Sequence, residues 1–191
     1  LPISHRGARE WVETREKRQT AVVIGFEGVN DRDARFHTLE VARNLLAGMG
    51  GRLFLAMRER NPLVYTVTAF NLGLFRGGAF FFYFACSPEK EEQSRRVLFA
   101  EIARLAFEPV SAEELKTAKA FTIASRAISR QTNAATGFAN VHQYLSQGRL
   151  ESDADFHRKV DEVTPGMVRK AAEEFFRTDR HVSGIVRGAP S

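Results

Sequence analysis

An α+β fold, with helices packed on one face of a largely antiparallel sheet, is predicted by three features of the sequence. Strand-like and helix-like stretches come as separate runs, the arrangement expected when one sheet is covered by a layer of helices. Two strand-like stretches, Tyr65–Phe75 and Gly78–Cys86, are joined through Arg76-Gly77-Gly78, a strong hairpin signal. Between Ser87 and Phe175 the apolar residues recur at helical spacing, and one last strand, His181–Arg187, follows.

Taken in order, Leu1–Gly7 reads as an entry arm and Arg9–Lys17, charged but containing Trp11 and Val12, as an edge strand. In Gln19–Val29 the large Val22, Ile24 and Phe26 alternate with Ala21, Val23 and Gly25, so a strand covered on both sides is expected. Asn30-Asp31 supplies a turn and an N-cap for a helix over about Asp33–Ala47, with Phe36, Leu39, Ala42, Leu45 and Leu46 at helical spacing. Gly50-Gly51 then opens a short helix, Arg52–Arg60. Its Leu53, Phe54, Leu55, Ala56 and Met57 leave almost no polar side, which predicts burial around most of its circumference. Asn61-Pro62 stops that helix, because proline has no N–H to give and disfavours helical geometry in the residue before it. Val64, Tyr65, Thr66 and Val67 are β-branched or aromatic and start a strand at once. Arg58 and Tyr65 therefore flank a fixed helix-to-strand corner. The run Ala79–Cys86 is apolar on both faces, as a central strand or a strand lining a ligand channel requires.

Ser87-Pro88-Glu89 reads as a helix start with a capping serine, and the helix carries Val97, Leu98, Ile102 and Leu105 before Pro109 breaks it. Ser111–Glu114 is a capping box opening a long helix to about Arg130, with Leu115, Ala118, Phe121 and Ile128 as apolar members. A helix from about Ala134 to Ser146 is expected to turn Phe138, Val141 and Leu145 inward. The next, from Ala154 to Glu162, turns in Phe156 and Val160. Thr164-Pro165 caps the last helix, where Val168, Ala171, Ala172 and Phe175 share a stripe.

The 191 residues are of single-domain size, and 43% hydrophobic with 27% charged is the balance of a globular protein. One domain over residues 1–191 is expected. The first residue is Leu1 and not Met, so the chain is expected to be a piece of something longer, and the family likeness described below implies a two-domain polypeptide. A formal charge of +5 and a pI near 9.7 raise the possibility of a nucleic-acid binder. Acidic residues are nevertheless interleaved with the arginines in Arg9–Arg18, Asp31–Arg35, Glu89–Arg96 and Glu151–Asp161, which predicts solvated faces and no nucleic-acid partner. No apolar run approaches the ~20 residues of a membrane span. Cys86 is the single cysteine, which excludes an internal disulfide and a thiolate metal cluster and leaves the redox compartment open.

Several short patterns, Arg58-Glu59 followed by Leu63-x-Tyr65, Ser111-x-Glu-Glu-Leu115 and Val163-Thr164, together give the chain a family likeness. It resembles the second, metal-free domain of the pitrilysin/insulinase family of inverted-motif zinc peptidases, which includes the mitochondrial processing peptidases. Asn61-Pro62 departs from the usual turn of that family. The resemblance implies a metallohydrolase-like domain of the processing-peptidase type. It implies no catalytic residue or metal site in this chain, zinc in a partner domain, and a role for Arg58 and Tyr65 in binding substrate backbone carbonyls near the scissile bond. A guanidinium and a phenol are suitable donors for a carbonyl and for the oxyanion that develops there. Phe81 and Tyr83 are candidates for an apolar cleft wall.

In the family's catalytic domain, zinc is held by His-x-x-Glu-His on a helix. The nearest approach here is His37-Thr38-Leu39-Glu40-Val41, where valine stands at the second histidine position. The other histidines, His5, His142, His157 and His181, form no ligand-spaced pair, and no serine elbow or phosphate loop is present. The reading that follows is the substrate-binding, non-metal half of a zinc endopeptidase, which binds extended peptide beside a zinc-bearing partner in the same chain or another subunit. The alternative is a non-proteolytic assembly domain of the same family.

Overall fold

A computed structural model describes residues 7–189; all but the last residue of the expected entry arm Leu1–Gly7 lies outside the described residues. Five strands, β1 (Arg9–Arg15), β2 (Thr20–Gly28), β3 (Val64–Gly73), β4 (Gly78–Cys86) and β5 (Val182–Gly188), form one sheet in the order β1-β5-β2-β4-β3. Only β1 and β5 pair in parallel; the other neighbours are antiparallel. The α+β reading holds. Helices α1 (Phe36–Ala47), α2 (Arg52–Phe54), α3 (Glu91–Phe107), α4 (Ala112–Ser129), α5 (Asn133–Gln147), α6 (Asp153–Asp161) and α7 (Pro165–Phe175) supply the second layer. None is long and apolar enough to cross a membrane among the described residues.

The sheet's alternation decides which face the helices cover. Val22, Ile24 and Phe26 on β2, Phe80, Phe82 and Phe84 on β4 and Ile185 on β5 are all buried against that layer. Phe176, just after α7, packs on Phe80 at 4.7 Å between ring centroids. Each such aromatic contributes about 1.5–3 kcal/mol by burial, more than a typical single hydrogen bond. The opposite face has no such cover. Register places Val23 opposite Tyr83, and Gly25 opposite Phe81, which in turn faces Phe70. Val23 is 39% exposed, so β2 is covered on one side only, because its Ala21, Val23 and Gly25 lie on the face without helices.

Three local expectations need correction. Helix α1 begins at Phe36 instead of Asp33, because Asn30 and Asp33 spend their side chains on the turn. Asn30 Oδ1 accepts from the Arg32 N–H at 2.9 Å, and Asp33 Oδ1 from the Arg35 N–H at 2.8 Å. The Ser87 side chain caps nothing. A 3₁₀ turn, Pro88–Lys90, leads into α3, and the Ser87 carbonyl accepts from Lys90 N–H at 3.0 Å in its place. On α4 the Ser111 capping box forms in both directions at 3.1 Å, but Phe121 is partly exposed and Ile128 largely so; Thr122 takes the inward position.

The largest departure is α5. Phe138, Val141 and Leu145, expected inward, are exposed, as is Tyr144. The buried residues of that helix are Gln143 and Ser146. Polar contacts hold it to the body: Gln143 Oε1 accepts from Glu151 N–H at 3.0 Å, and the Ser146 hydroxyl donates to Asp31 Oδ2. The periodicity was that of a real amphipathic helix, but its apolar face points away from this domain's core.

Candidate functional site

The corner between α2 and β3 is built from apolar anchors and closed by side-chain hydrogen bonds. Gly50 adopts φ +79°, a conformation that side chains resist, and a Cβ on Gly51 would come within 2.8 Å of the Leu46 carbonyl. These two glycines let the chain turn from α1 into α2. A regular helix over Arg52–Arg60 does not form. Three α-helical residues pass into a π-turn, Leu55–Glu59, in which Arg60 N–H donates to the Leu55 carbonyl at 2.9 Å. Leu53, Ala56 and Met57 are buried, while Leu55 is 37% exposed and Arg58, Glu59 and Arg60 face outward. Burial therefore covers about one side, not most of the circumference.

Asn61 explains the local geometry. Its side-chain amide donates to the Ala56 carbonyl at 3.0 Å, and Leu63 N–H donates to the Met57 carbonyl at 2.9 Å, so the widened turn is satisfied at its end. Lys90 Nζ donates to the Pro62 carbonyl at 2.8 Å, tying the corner to the start of α3. At the other end, Arg52 binds Glu114 through two contacts of 2.9 and 3.2 Å, which hold that carboxyl below its ordinary range.

Tyr65 occupies a β-bulge. Val64 pairs with Cys86 and Thr66 with Ala85, so Tyr65 is the extra residue and has no partner of its own. A bulge twists its strand and re-aims a side chain. Here Tyr65 is 57% exposed. The Arg58 guanidinium lies over the Phe54 ring at 5.1 Å, and among the described residues it has no ion pair. Arg58, Pro62, Leu63, Val64, Tyr65, Ser87 and Lys90 line one recess of about 440 Å³, with two cations, a phenol and a hydroxyl and no carboxylate. Such a recess is suited to oxygen acceptors: carbonyl groups, carboxylates or a developing oxyanion.

The two residues singled out at this corner are thus on one recess. Phe81 and Tyr83 are not part of its lining. Phe81 stacks on Phe70 across the strand pair, with centroids 4.9 Å apart and planes at 25°, and Tyr83 stands opposite Thr68. Both are half-buried on the sheet face that carries no helices. Ser87 and Lys90 were missed as recess residues. Their signal was the hairpin register: pairing of Cys86 with Val64 brings the residues after Cys86 beside the corner.

The His37–Val41 segment does not form a metal site. Val41 is fully buried, and Glu40 accepts from Asn71 Nδ2 at 3.0 Å while lying 3.3 Å from Arg43. His37 Nε2 sits 3.0 Å from Glu151 Oε1. Lys159 and Arg126 also reach Glu151, at 2.5 and 3.4 Å. Burial alone would raise the Glu151 pKa, but His37 and Lys159 outweigh it and hold the carboxyl at about 2. This is a structural charge cluster. Among the described residues no group of three or more His, Cys, Asp or Glu side chains is arranged to hold a metal ion.

The family described as "Peptidase M16 inactive domain" matches residues 2–121, more than half of the chain. An uncharacterized zinc protease of Streptomyces coelicolor is 25% identical over 182 residues, 91% of this chain and 40% of that protein. One from Rickettsia bellii is 31% identical over 120 residues, 62% of this chain and 29% of that protein. The chain therefore spans well under half the length of these relatives. Among solved structures, the peptidase M16 inactive domain from Pseudomonas fluorescens matches with a TM-score of 0.81 at 20% identity, over 97% of this chain and 45% of that one. A chain of complex III2 from Candida albicans matches with a TM-score of 0.87 at 14% identity, over 95% and 46%. These structures share the fold. With a family match over more than half of its length, and the sheet and helix layer that the solved structures share, this chain belongs to the peptidase M16 inactive-domain family.

Proposed function

We propose that the chain is the substrate-holding half of a two-domain zinc endopeptidase, a single domain over residues 1–191 that works beside a zinc-bearing domain in the same polypeptide or in a second subunit. The observation that carries this reading is the corner itself: a π-turn and a β-bulge bring Arg58 and Tyr65 to one recess, and among the described residues neither side chain has an ion pair or a hydrogen bond. Unspent donors held on a rigid frame are what binding a peptide backbone requires.

A zinc ion held by the other half would supply Lewis-acid activation of water. From this side, the Arg58 guanidinium holds a backbone carbonyl of an extended peptide, and the Tyr65 hydroxyl donates to the oxygen that becomes negative as the carbonyl is attacked. Lys90 adds positive potential to the same recess. Phe81 and Tyr83, with Phe70, give the peptide's side chains an apolar wall on the open face of the sheet. The zinc protease relatives support this assignment, since this chain matches only part of each.

The test is Tyr65→Phe in the assembled two-domain enzyme. Loss of one oxyanion donor lowers kcat about 10²-fold and changes KM little. An unchanged kcat overturns the assignment of Tyr65. A second reading, a non-proteolytic assembly domain, is favoured by one observation, the outward apolar face of α5. It requires that the assembled protein cleave no peptide at all.

A further inference from the structure

Between α5 and the body of the domain lies a cavity of about 550 Å³, within the range of about 300–1,000 Å³ typical of small-molecule sites. The start of α1, the end of β3, the end of α4 and α5 itself form its walls. Two of the charged groups there, Glu151 and Arg126, are spent within the domain: Glu151 meets His37, Lys159 and Arg126, and Arg126 also lies over the Phe156 ring. Three polar groups on the same cavity are left over. Asp31 is 8% exposed; its Oδ2 accepts from the Ser146 hydroxyl, while its Oδ1 is buried and has no hydrogen bond among the described residues. The Asn71 amide is oriented by its Nδ2, which donates to the Phe36 carbonyl at 3.3 Å and to Glu40 Oε1 at 3.0 Å, so its buried Oδ1 is an acceptor without a donor. Half-buried Arg130 reaches only Asn140 Oδ1, at 3.2 Å, and no carboxylate among the described residues pairs with it. Gly73 packs the end of β3 against this wall: a Cβ there would stand 2.8 Å from the Asp31 Cβ, so glycine is what lets the strand close on Asp31.

We infer that this cavity binds a small zwitterion, a free α-amino acid or a dipeptide, with its ammonium group on Asp31 and Asn71 and its carboxylate on Arg130. An ammonium carries three N–H donors and no acceptor, the complement of two unused oxygens of which one is charged. A guanidinium takes a carboxylate through two parallel hydrogen bonds. A buried charge is costly alone, and an opposite charge on the ligand offsets that cost at each end. Burial, and after it the neighbouring Arg126, disfavour the charge on Arg130, which a ligand carboxylate relieves. An ion of one sign suits the cavity less well: a phosphate would meet Asp31 and Glu151, and a cation would meet Arg126 and Arg130. Phe36 and Leu72 offer apolar surface beside these groups, so the ligand's own side chain is expected to be apolar. None of the lining residues belongs to the Arg58 and Tyr65 recess, and the zwitterion site needs no part of the peptidase reading.

The experiment is isothermal titration calorimetry of the full 191-residue chain with L-leucine and with glycyl-L-leucine. Saturable binding of at least one of them is expected, and the tighter of the two fixes the length of the ligand. Removing the ammonium by N-acetylation, or the carboxylate by amidation, should each weaken binding by about tenfold or more, as loss of a charge-assisted contact implies. The variants place the two ends. Arg130→Gln should bind the free acid and its amide equally, and Asp31→Asn should bind the free amine and its N-acetyl form equally, which a purely structural role for either residue would not produce. The blocked ligands need no substitution, so the site stays testable even where a variant does not fold. No saturable binding of either probe up to about 10 mM overturns the assignment, since that is weaker than about −3 kcal/mol. Binding that neither blocking group changes reduces the cavity to an apolar pocket, and charge-selective binding that both variants retain puts the site elsewhere; each of these results overturns the assignment as well.

Discussion

The corner at α2 and β3 and the stripe on α5 both display side chains that this domain does not use, but they are built in opposite ways. At the corner, buried apolar residues, Leu53, Ala56, Met57 and Val64, fix a frame from which polar groups project. On α5, buried polar residues, Gln143 and Ser146, anchor a helix from which apolar groups project. The first arrangement suits a site that exchanges its ligand, since exposed donors stay hydrated until substrate arrives. The second suits a lasting contact, because about 25 cal/mol of driving force per Å² of covered apolar surface favours keeping it covered.

The comparison is broken most directly by truncating one phenylalanine on each of two consecutive helices. Phe156 on α6 is 5% exposed and packs beneath the Arg126 guanidinium at 4.3 Å, whereas Phe138 on α5 is 77% exposed. Phe156→Ala is expected to cost about 3–5 kcal/mol of unfolding free energy in urea denaturation. A loss under 1 kcal/mol would mean that the α5–α6 region is not packed as described.

The anchoring of α5 is sharpened by acid. Glu151, whose N–H binds Gln143, has its carboxyl held at about 2 in the folded chain against 4.5 for an ordinary glutamate. A depressed folded pKa contributes stability that is complete above about pH 4.5 and lost as pH falls toward 2. The contribution at neutral pH is about 3 kcal/mol from the size of that shift. Glu151→Gln should therefore be less stable than the parent by about that amount at pH 7, with the gap closing by pH 2. A gap that stays constant with pH would show that the carboxylate charge is not what matters.

At the corner a smaller loss of stability should accompany a larger loss of function. Asn61→Ala removes the hydrogen bond to the Ala56 carbonyl and is expected to cost about 1 kcal/mol. In the assembled enzyme it should lower turnover by more than that energy implies, because it loosens the frame holding Arg58 and Tyr65. Turnover that follows stability alone would reduce Asn61 to an ordinary cap.

How much of this was legible in the sequence follows from what each pattern physically encodes. The α+β fold, the Ser111 capping box and the hairpin were readable, because capping, turn chemistry and alternation act over a few residues. Arg58 and Tyr65 were reachable only through family resemblance; seven-residue spacing says nothing about a π-turn or a bulge. Phe138, Val141 and Leu145 misled for a different reason. Periodicity reports that a helix has one face that avoids water, and it is silent on whether the cover comes from the same domain. The real inward residues, Gln143 and Ser146, could not be recognised, since their partners Glu151 and Asp31 meet them only in the folded chain.

Phe138→Ala is the smallest effect and the most discriminating. In the single chain the ring contacts mostly water, so truncation should change stability by less than about 0.5 kcal/mol, as at an ordinary surface position. Alanine is also the better helix former, which works against any loss. If the partner half proposed above covers this ring, the same substitution measured in the assembled protein should cost more, since a covered ring loses its burial on truncation. A thermal midpoint unchanged in the single chain and lowered in the complex separates a surface that waits for a partner from one that is merely exposed. Equal, negligible effects in both states would leave α5's apolar face without an energetic role, and the contrast with the corner would then reduce to one site instead of two.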